Sequence, residues 1–258
     1  MGQRILLKQL RQQGLLLDFF PIFGNDEKRF IYEEKGTTMI EVYDLTGANN
    51  LRFSPFCART KAALRYKDLD YTTIPIRFCD KDQLAFSNQD RVPVIKNNDD
   101  NGVVVSDSWK IAQYLEEQYP EAKLFPGLGM KEACRFFNMY IDSTVHPALF
   151  PVIVGDIFEK IEPIDRDYFR ENREARLGAT LEDIAAKRDV FRPRLKAVLV
   201  DLEAVALGHE YLFEILTYAD FSLFGTFTFA TRVSDEPLFG SAPALGKWWE
   251  RMQERFTV

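Results

Sequence analysis

Histidine is scarce in this sequence: its 258 residues include only His146 and His209. Cysteine is nearly as scarce, with Cys57, Cys79 and Cys134 far apart and odd in number. No C-x-x-C pair occurs, so a zinc site lacks its donor set. The same cysteine usage points to a reducing compartment, the cytoplasm, rather than to a disulfide framework. Neither a G-x-G-x-x-G motif nor a P-loop is present, which leaves a nucleotide cofactor without a cradle. Basic residues are not in excess: 33 Lys+Arg stand against 39 Asp+Glu, a net charge of −6. Nucleic acid is therefore not an expected partner. No apolar run reaches the roughly 18–20 residues of a membrane helix. The stretch Leu15–Phe23 is broken by Asp18 and Pro21 and lacks a small-residue cleavage site, so neither a membrane anchor nor a secretory signal is expected.

Residues 1–38 carry Arg4, Lys8 and Arg11 with no acid before Asp18, as a transit peptide does, but they contain no serine. They read as an upstream extension, with the folded part opening at Met39. The whole chain is 46% apolar and 28% charged, a globular composition long enough for one large core or two ordinary ones.

Residues 39–118 alternate strand and helix signals. Ile40-Glu41-Val42-Tyr43-Asp44-Leu45 alternates apolar and polar residues, which predicts a strand. Pro55 to about Lys67 reads as a helix burying Phe56, Ala62, Ala63 and Tyr66. Tyr71–Ile76 is β-rich, and Pro75 assigns it to a sheet edge or a strand end. Two short strands, Val92–Lys96 and Val103–Val105, flank the turn Asn97–Gly102. A helix starting near Asp107 buries Trp109, Ile111, Ala112 and Leu115. The order βαβ, helical connection, ββα predicts a thioredoxin-like α/β domain over 39–118. Pro120, Pro126, Gly127 and Gly129 mark a linker over 119–130. Helical periodicity near 131–146, 179–207 and 219–230 predicts an all-α second domain over 131–258. Within it, Thr217–Asp220 reads as a capping box with Asp in place of Glu, and Asp165–Arg176 as a solvated charged face. His146-Pro147 reads as a helix end, with a pocket-lining role as the alternative, and His209 as a loop residue. Phe136, Phe137, Tyr140, Phe150, Phe227 and Phe229 read as core side chains that together could form an aromatic pocket.

Three local signals carry the chemistry. Phe53-Ser54-Pro55-Phe56-Cys57 has the shape of a thioredoxin-type C-P-F-C turn whose first cysteine is Ser54. Pro55 suits the first helical position, where its missing N–H costs nothing. Ser54 is then the N-cap, a hydroxyl beside free N–H groups. It cannot exchange disulfides, but it can donate a hydrogen bond to a thiolate brought by a ligand. Arg91-Val92-Pro93-Val94 places a proline ahead of an edge hairpin; in that context it reads as cis, turning the Val92 N–H and C=O toward an extended peptide. Ser106-Asp107-Ser108-Trp109 gathers hydroxyls, a carboxylate and free N–H groups at a helix start. Asp107 can hold an α-amino group there, and Ser108 an α-carboxylate; simple N-capping explains the same residues.

The array S-P-F-C-A-R-T, R-V-P-V-I and S-D-S-W-x-I-A-x-Y-L-E-x-x-Y-P resembles the soluble glutathione transferases, in particular the bacterial β-etherase-like group and its fungal relatives. The resemblance runs from Met39 to the C-terminus. It implies a thioredoxin-like domain followed by an all-α domain, glutathione as the thiol ligand, a hydrophobic co-substrate between the domains, a detoxifying role and a homodimer. In such enzymes the residue matching Ser54 contacts the sulfur, Val92 pairs with the cysteinyl backbone, Arg91 and Pro93 belong to the same glutathione site, and Asp107 with Ser108 binds the γ-glutamyl end. The array also resembles the omega pattern, in which a cysteine replaces Ser54 and the activity is thiol reduction. Three activities follow: thiolate attack on an electrophile or aryl ether, ligand carriage without turnover, and thiol reduction through Cys57, which reads as a buried residue.

Overall fold

In the computed structural model, which describes residues 40–257, β1 (Ile40–Leu45) alternates buried and half-buried side chains as its sequence pattern requires. The expected extension, residues 1–38, lies outside the described residues. β2 (Tyr71–Ile76) runs parallel to β1, pairing Ile40 with Tyr71 and Leu45 with Ile76. β3 (Val94–Asn97) is antiparallel to β1, with Tyr43 opposite Val94, and β4 (Val103–Ser106) is antiparallel to β3, with Val94 opposite Ser106. The order β2-β1-β3-β4 puts the Pro75-containing strand at an edge, where a missing ladder donor is tolerated. β3 begins two residues later than its apolar run suggests, because Val92–Pro93 is a cis peptide ahead of it. The connection between β2 and β3 is a 3-10 helix, Lys81–Ser87.

α1 (Pro55–Tyr66) is buried without interruption from Cys57 to Leu64. One face packs on the sheet and the other on α8 (Tyr218–Val233). Gly225 sets that second contact: a Cβ there would lie 2.3 Å from the Pro55 carbonyl oxygen. A helix buried on both faces must pair its charges internally. Lys61 accordingly meets the buried Asp44 at 2.8 Å, and Arg59 donates to Asn138 and to Asp142. α2 (Ser108–Gln118) covers the same side of the sheet through Ile111, Ala112 and Leu115.

Past an irregular stretch, the helical layer holds α3 (Met130–Tyr140), α4 (His146–Lys160), α5 (Arg166–Leu177), α6 (Leu181–Ala186), α7 (Arg188–Ala206), α8 and α9 (Pro243–Phe256). The expected helix end at His146 is not observed. A π-helical turn, Ile141–Val145, joins α3 to α4. Such a turn rearranges the hydrogen-bond ladder, here just ahead of Pro147, and the helical run continues to Lys160. Its length and mean hydropathy of 1.2 would suit a membrane span, yet Leu149, Val152, Ile153 and Ile157 are core residues packed in the helical layer. Asp165–Arg176 is only partly the solvated face its charges suggest. Arg166 and Arg170 lie over the Phe158 ring, and Arg173 over those of Phe150 and Phe169. Of the aromatic candidates, Phe227 and Phe229 are buried and Phe136 is 73% exposed.

The Thr217 capping box forms, with Asp220 accepting from the Thr217 N–H at 2.9 Å. Asp220 also accepts from the Leu212 N–H at 3.0 Å and from the Trp248 indole at 2.9 Å. One buried carboxylate thus joins the start of α8 to the preceding loop and to α9.

Candidate active site

The sheet register gathers the three sequence signals. Ser54 follows the C-terminal end of β1, Val92-Pro93 leads into β3, and Asp107 follows β4. With Tyr43 opposite Val94 and Val94 opposite Ser106, these junctions share one end of the sheet. A hydrogen bond from the Asp107 N–H to the Pro93 carbonyl, 3.2 Å, ties two of them directly.

Ser54 caps α1, its Oγ accepting from the Cys57 N–H at 3.2 Å. The buried Ser54 hydroxyl also stands within hydrogen-bond reach of the Cys57 side chain, and it donates to a ligand by turning away from that thiol. Asp107 caps α2, with Oδ1 accepting from Trp109 N–H at 3.1 Å and Lys110 N–H at 3.0 Å. Oδ2 has no partner among the described residues and remains an acceptor for a cation. Asp107 holds this pose at φ 78° and ψ 127°, a region costly for a non-glycine residue by about 1–3 kcal/mol and frequent at ligand clamps. Ser108 is buried, and its carbonyl accepts from the Tyr218 hydroxyl at 2.8 Å, which anchors the start of α2 to α8. The Val92 N–H and C=O make no hydrogen bond among the described residues. Arg91 is exposed, and its ion-pair partner among the described residues is the adjacent Asp90 at 3.7 Å; the structure links Arg91 to none of the other predicted site residues by a hydrogen bond.

This end of the sheet offers a hydroxyl donor at a helix N-terminus, an open stretch of main chain and a carboxylate with one free oxygen. Together they can hold an extended anionic peptide by its sulfur, its backbone and its amino end. The family description "Glutathione S-transferase, N-terminal domain" matches residues 50–123, and "Glutathione S-transferase, C-terminal domain" matches residues 134–257. The chain belongs to the glutathione S-transferase family. It is 28% identical to the rat glutathione S-transferase omega-1 over 55% of this chain and 57% of that protein. It is 35% identical to glutathione S-transferase Z1 of Arabidopsis thaliana over 41% of this chain and 49% of that one. The chain spans about half the length of the curated relatives it matches. Among solved structures, a glutathione transferase of Phanerochaete chrysosporium superposes with a TM-score of 0.76 at 21% identity, covering 84% of this chain and 97% of that one. A glutathione S-transferase of Ceriporiopsis subvermispora, solved in complex with glutathione, gives 0.72 at 25% identity, covering 84% and 98%.

The helical half of this transferase fold meets the Ser54 turn through a polar network that the sequence did not assign. Arg59, fully buried, lies over the Phe56 ring at 4.9 Å and donates to Asn138 and to Asp142, the latter at 3.0 Å. Asn138 also accepts from Ser222, at 3.0 Å. His146 packs edge-on to Phe56, with centroids 5.6 Å apart, and its Nε2 lies 2.9 Å from Thr226 Oγ1. The Thr226 hydroxyl also reaches the Ser222 carbonyl at 3.1 Å, and His146 Nδ1 lies 3.6 Å from Asp142. The motif S-P-F-C-A-R contains Arg59, but nothing local to it names partners some 80 residues away.

Burial and the Arg59 charge push His146 down to about 4, against the opposing pull of Asp142. The sign follows from linkage. The unfolded chain binds a proton near pH 6.5 and the folded chain does not, so stability falls as pH drops from about 6.5 toward 4. Between pH 7 and 5 this one group removes about 2 kcal/mol. Thermal melts of the parent and His146→Phe at both pH values check this: the variant is expected to lose less stability on acidification by that amount.

Cys57 is fully buried, 3.8 Å from the Tyr43 carbonyl, and burial with the nearby Asp44 charge raises its pKa well above the ordinary thiol value. A neutral, enclosed thiol is a poor nucleophile. Cys134 is buried as well, whereas Cys79 is exposed. Alkylation of the native protein is expected to label Cys79 alone, with Cys57 and Cys134 reacting only after denaturation. Rapid native labelling of Cys57 would restore the thiol-reductase alternative.

Proposed function

We propose that this protein binds glutathione and activates its thiol for attack on a hydrophobic, electrophilic co-substrate held between the sheet end and the helical layer. The observation that carries the reading is the Ser54 hydroxyl, an O–H donor fixed at the N-cap of α1. Glutathione supplies the thiol and, once ionised, the nucleophile. Ser54 donates to that sulfur, and the N-terminus of α1 adds its partial positive charge. The dipole contributes about 0.3–1 kcal/mol and a hydrogen bond to a charged acceptor about 1.5–3 kcal/mol. Together they lower a thiol pKa by about 1–3 units. The Val92 main chain holds the cysteinyl backbone, Asp107 Oδ2 takes the γ-glutamyl ammonium, and the Ser108 hydroxyl with its N–H takes the neighbouring carboxylate.

Cleavage of a β-aryl ether with departure of a phenolate is the narrower form of this activity. A detoxifying role in the cytoplasm and a homodimer complete the reading. Phe136 and Met139, 73% and 59% exposed on one face of α3, supply apolar surface for the second copy. Carriage of a ligand without turnover remains the rival reading.

Calorimetry with glutathione, followed by turnover of an activated aryl halide and of an aryl ether, tests the proposal. Binding with turnover supports it. Binding without any turnover would leave a ligand carrier, and absence of binding would remove the reading altogether.

A further inference from the structure

The wall of the proposed co-substrate cleft runs from ring to ring beside Ser54. Phe56, two residues past Ser54, meets His146 at 5.6 Å. Phe150 lies one turn further along α4, on the same face. The Arg173 guanidinium sits 5.7 Å from the Phe150 ring centre and 5.0 Å from that of Phe169. Arg91, next to Val92, and Arg176, one turn along α5, are close enough that their charges add to burial in lowering the Arg173 pKa.

This cluster contrasts with the earlier turns of the same helix. Arg166 faces Glu159, and Arg170 is held by both Glu174 and Glu182 at 2.7–2.8 Å. Arg173 and Arg176 pair with no acid among the described residues. Among the described residues Arg173 donates to the Asn172 side-chain oxygen alone, and its Nε, like that of Arg166, is buried without a hydrogen-bond partner. Like charges gathered around a half-buried guanidinium raise the free energy of the empty cluster, and an arriving anion lowers it. That cationic cluster stands out in a chain of net charge −6.

We propose that the aromatic co-substrate of this protein carries a carboxylate, received by the guanidinium cluster of Arg173, Arg91 and Arg176. The proposal rests on the transferase reading for the identity of the cleft. It adds a demand that a purely hydrophobic pocket would not make. Phe56, His146 and Phe150 form the apolar wall for the ring, and Arg173 fixes the acid end, so the electrophilic carbon is left toward Ser54.

The test is a pair of calorimetric titrations with 4-chloro-3-nitrobenzoate and its methyl ester, each run with and without S-methylglutathione, which cannot react. The parent is expected to bind the acid at least about tenfold more tightly than the ester, the scale of one charge-assisted pair. Arg173→Met, which keeps the apolar stem, should bring the ratio near one. Arg91→Ala, at an exposed position, should lower it by a smaller factor and keeps the test open should the first variant fold poorly. Turnover with glutathione adds a second readout: the C–S bond forms as the C–Cl bond breaks, chloride leaves with the electron pair, and the thiol proton passes to buffer. An acid-to-ester ratio near one in the parent overturns the proposal. So does an Arg173→Met variant that loses affinity for S-methylglutathione while the ratio stays unchanged, since the cluster would then serve glutathione's own carboxylate. Failure of S-methylglutathione to bind the parent instead overturns the transferase reading, while the ratio measured without it still decides the arginine cluster.

Discussion

Replacing Ser54 with alanine is expected to lower kcat/KM for glutathione conjugation by about 10²- to 10³-fold, the effect of removing one aimed donor from a developing or stabilised anion. The same hydroxyl caps α1 through the Cys57 N–H, so the alanine variant also loses about 1 kcal/mol of stability. Glycine separates the two roles. As an N-cap it costs only a few tenths of a kcal/mol, yet it removes the donor as completely as alanine does. Ser54→Gly should therefore melt close to the parent and still show the full kinetic loss. Ser54→Thr retains the hydroxyl and should recover most of the rate. Steady-state kinetics on the three variants, with circular dichroism melts alongside, checks each expectation.

Asp220→Ala is expected to cost the fold about 3–5 kcal/mol, as breaking a buried charged network does. The carboxylate accepts from the Leu212 and Thr217 N–H groups, the Thr217 hydroxyl and the Trp248 indole, and it is fully buried. Removing it strands donors that water cannot reach, each costing about 1–3 kcal/mol. Asparagine does not restore the network. Oδ1 and Oδ2 each accept from two donors, so either orientation of the amide turns an NH₂ toward N–H or O–H groups. Asp220→Asn should lose about half as much as alanine or more. For a folded region of this size, 1 kcal/mol shifts Tm by about 2–4 °C, so calorimetric melts should drop by about 10 °C for the alanine variant. Because α8 buries α1 along its length, loosening its start also disturbs the helix that carries Ser54, and activity should fall before unfolding is complete.

The sheet and the three junctions that make up the candidate site were legible because their signals are local. Alternation in Ile40–Leu45, Pro55 at a helix start, Pro93 ahead of a strand and Asp107 between a strand and a helix each act within a few residues. The helical half was less legible for three physical reasons. A π turn lets the helix continue through Pro147, where a proline ordinarily argues for an end. The arginines of α5 look solvated in sequence, but ring faces on α4 and on α5 itself cover them. Arg59 finds Asn138 and Asp142 across the chain, and no spacing rule connects partners so distant. Strand and helix periods describe single elements, whereas the wall opposite Ser54 is made by the packing of several.

The proposed site holds glutathione as its thiolate through the Ser54 hydroxyl. The ultraviolet difference spectrum of the glutathione complex, titrated against pH for the parent and for Ser54→Gly, tests it most directly. In the parent a thiolate absorbance should persist near neutral pH, with a midpoint about 1–3 units below that of free glutathione, and in the variant the midpoint should shift back toward the free value. A complex that forms with the same midpoint in both proteins, or with no thiolate absorbance near neutral pH in either, would contradict it.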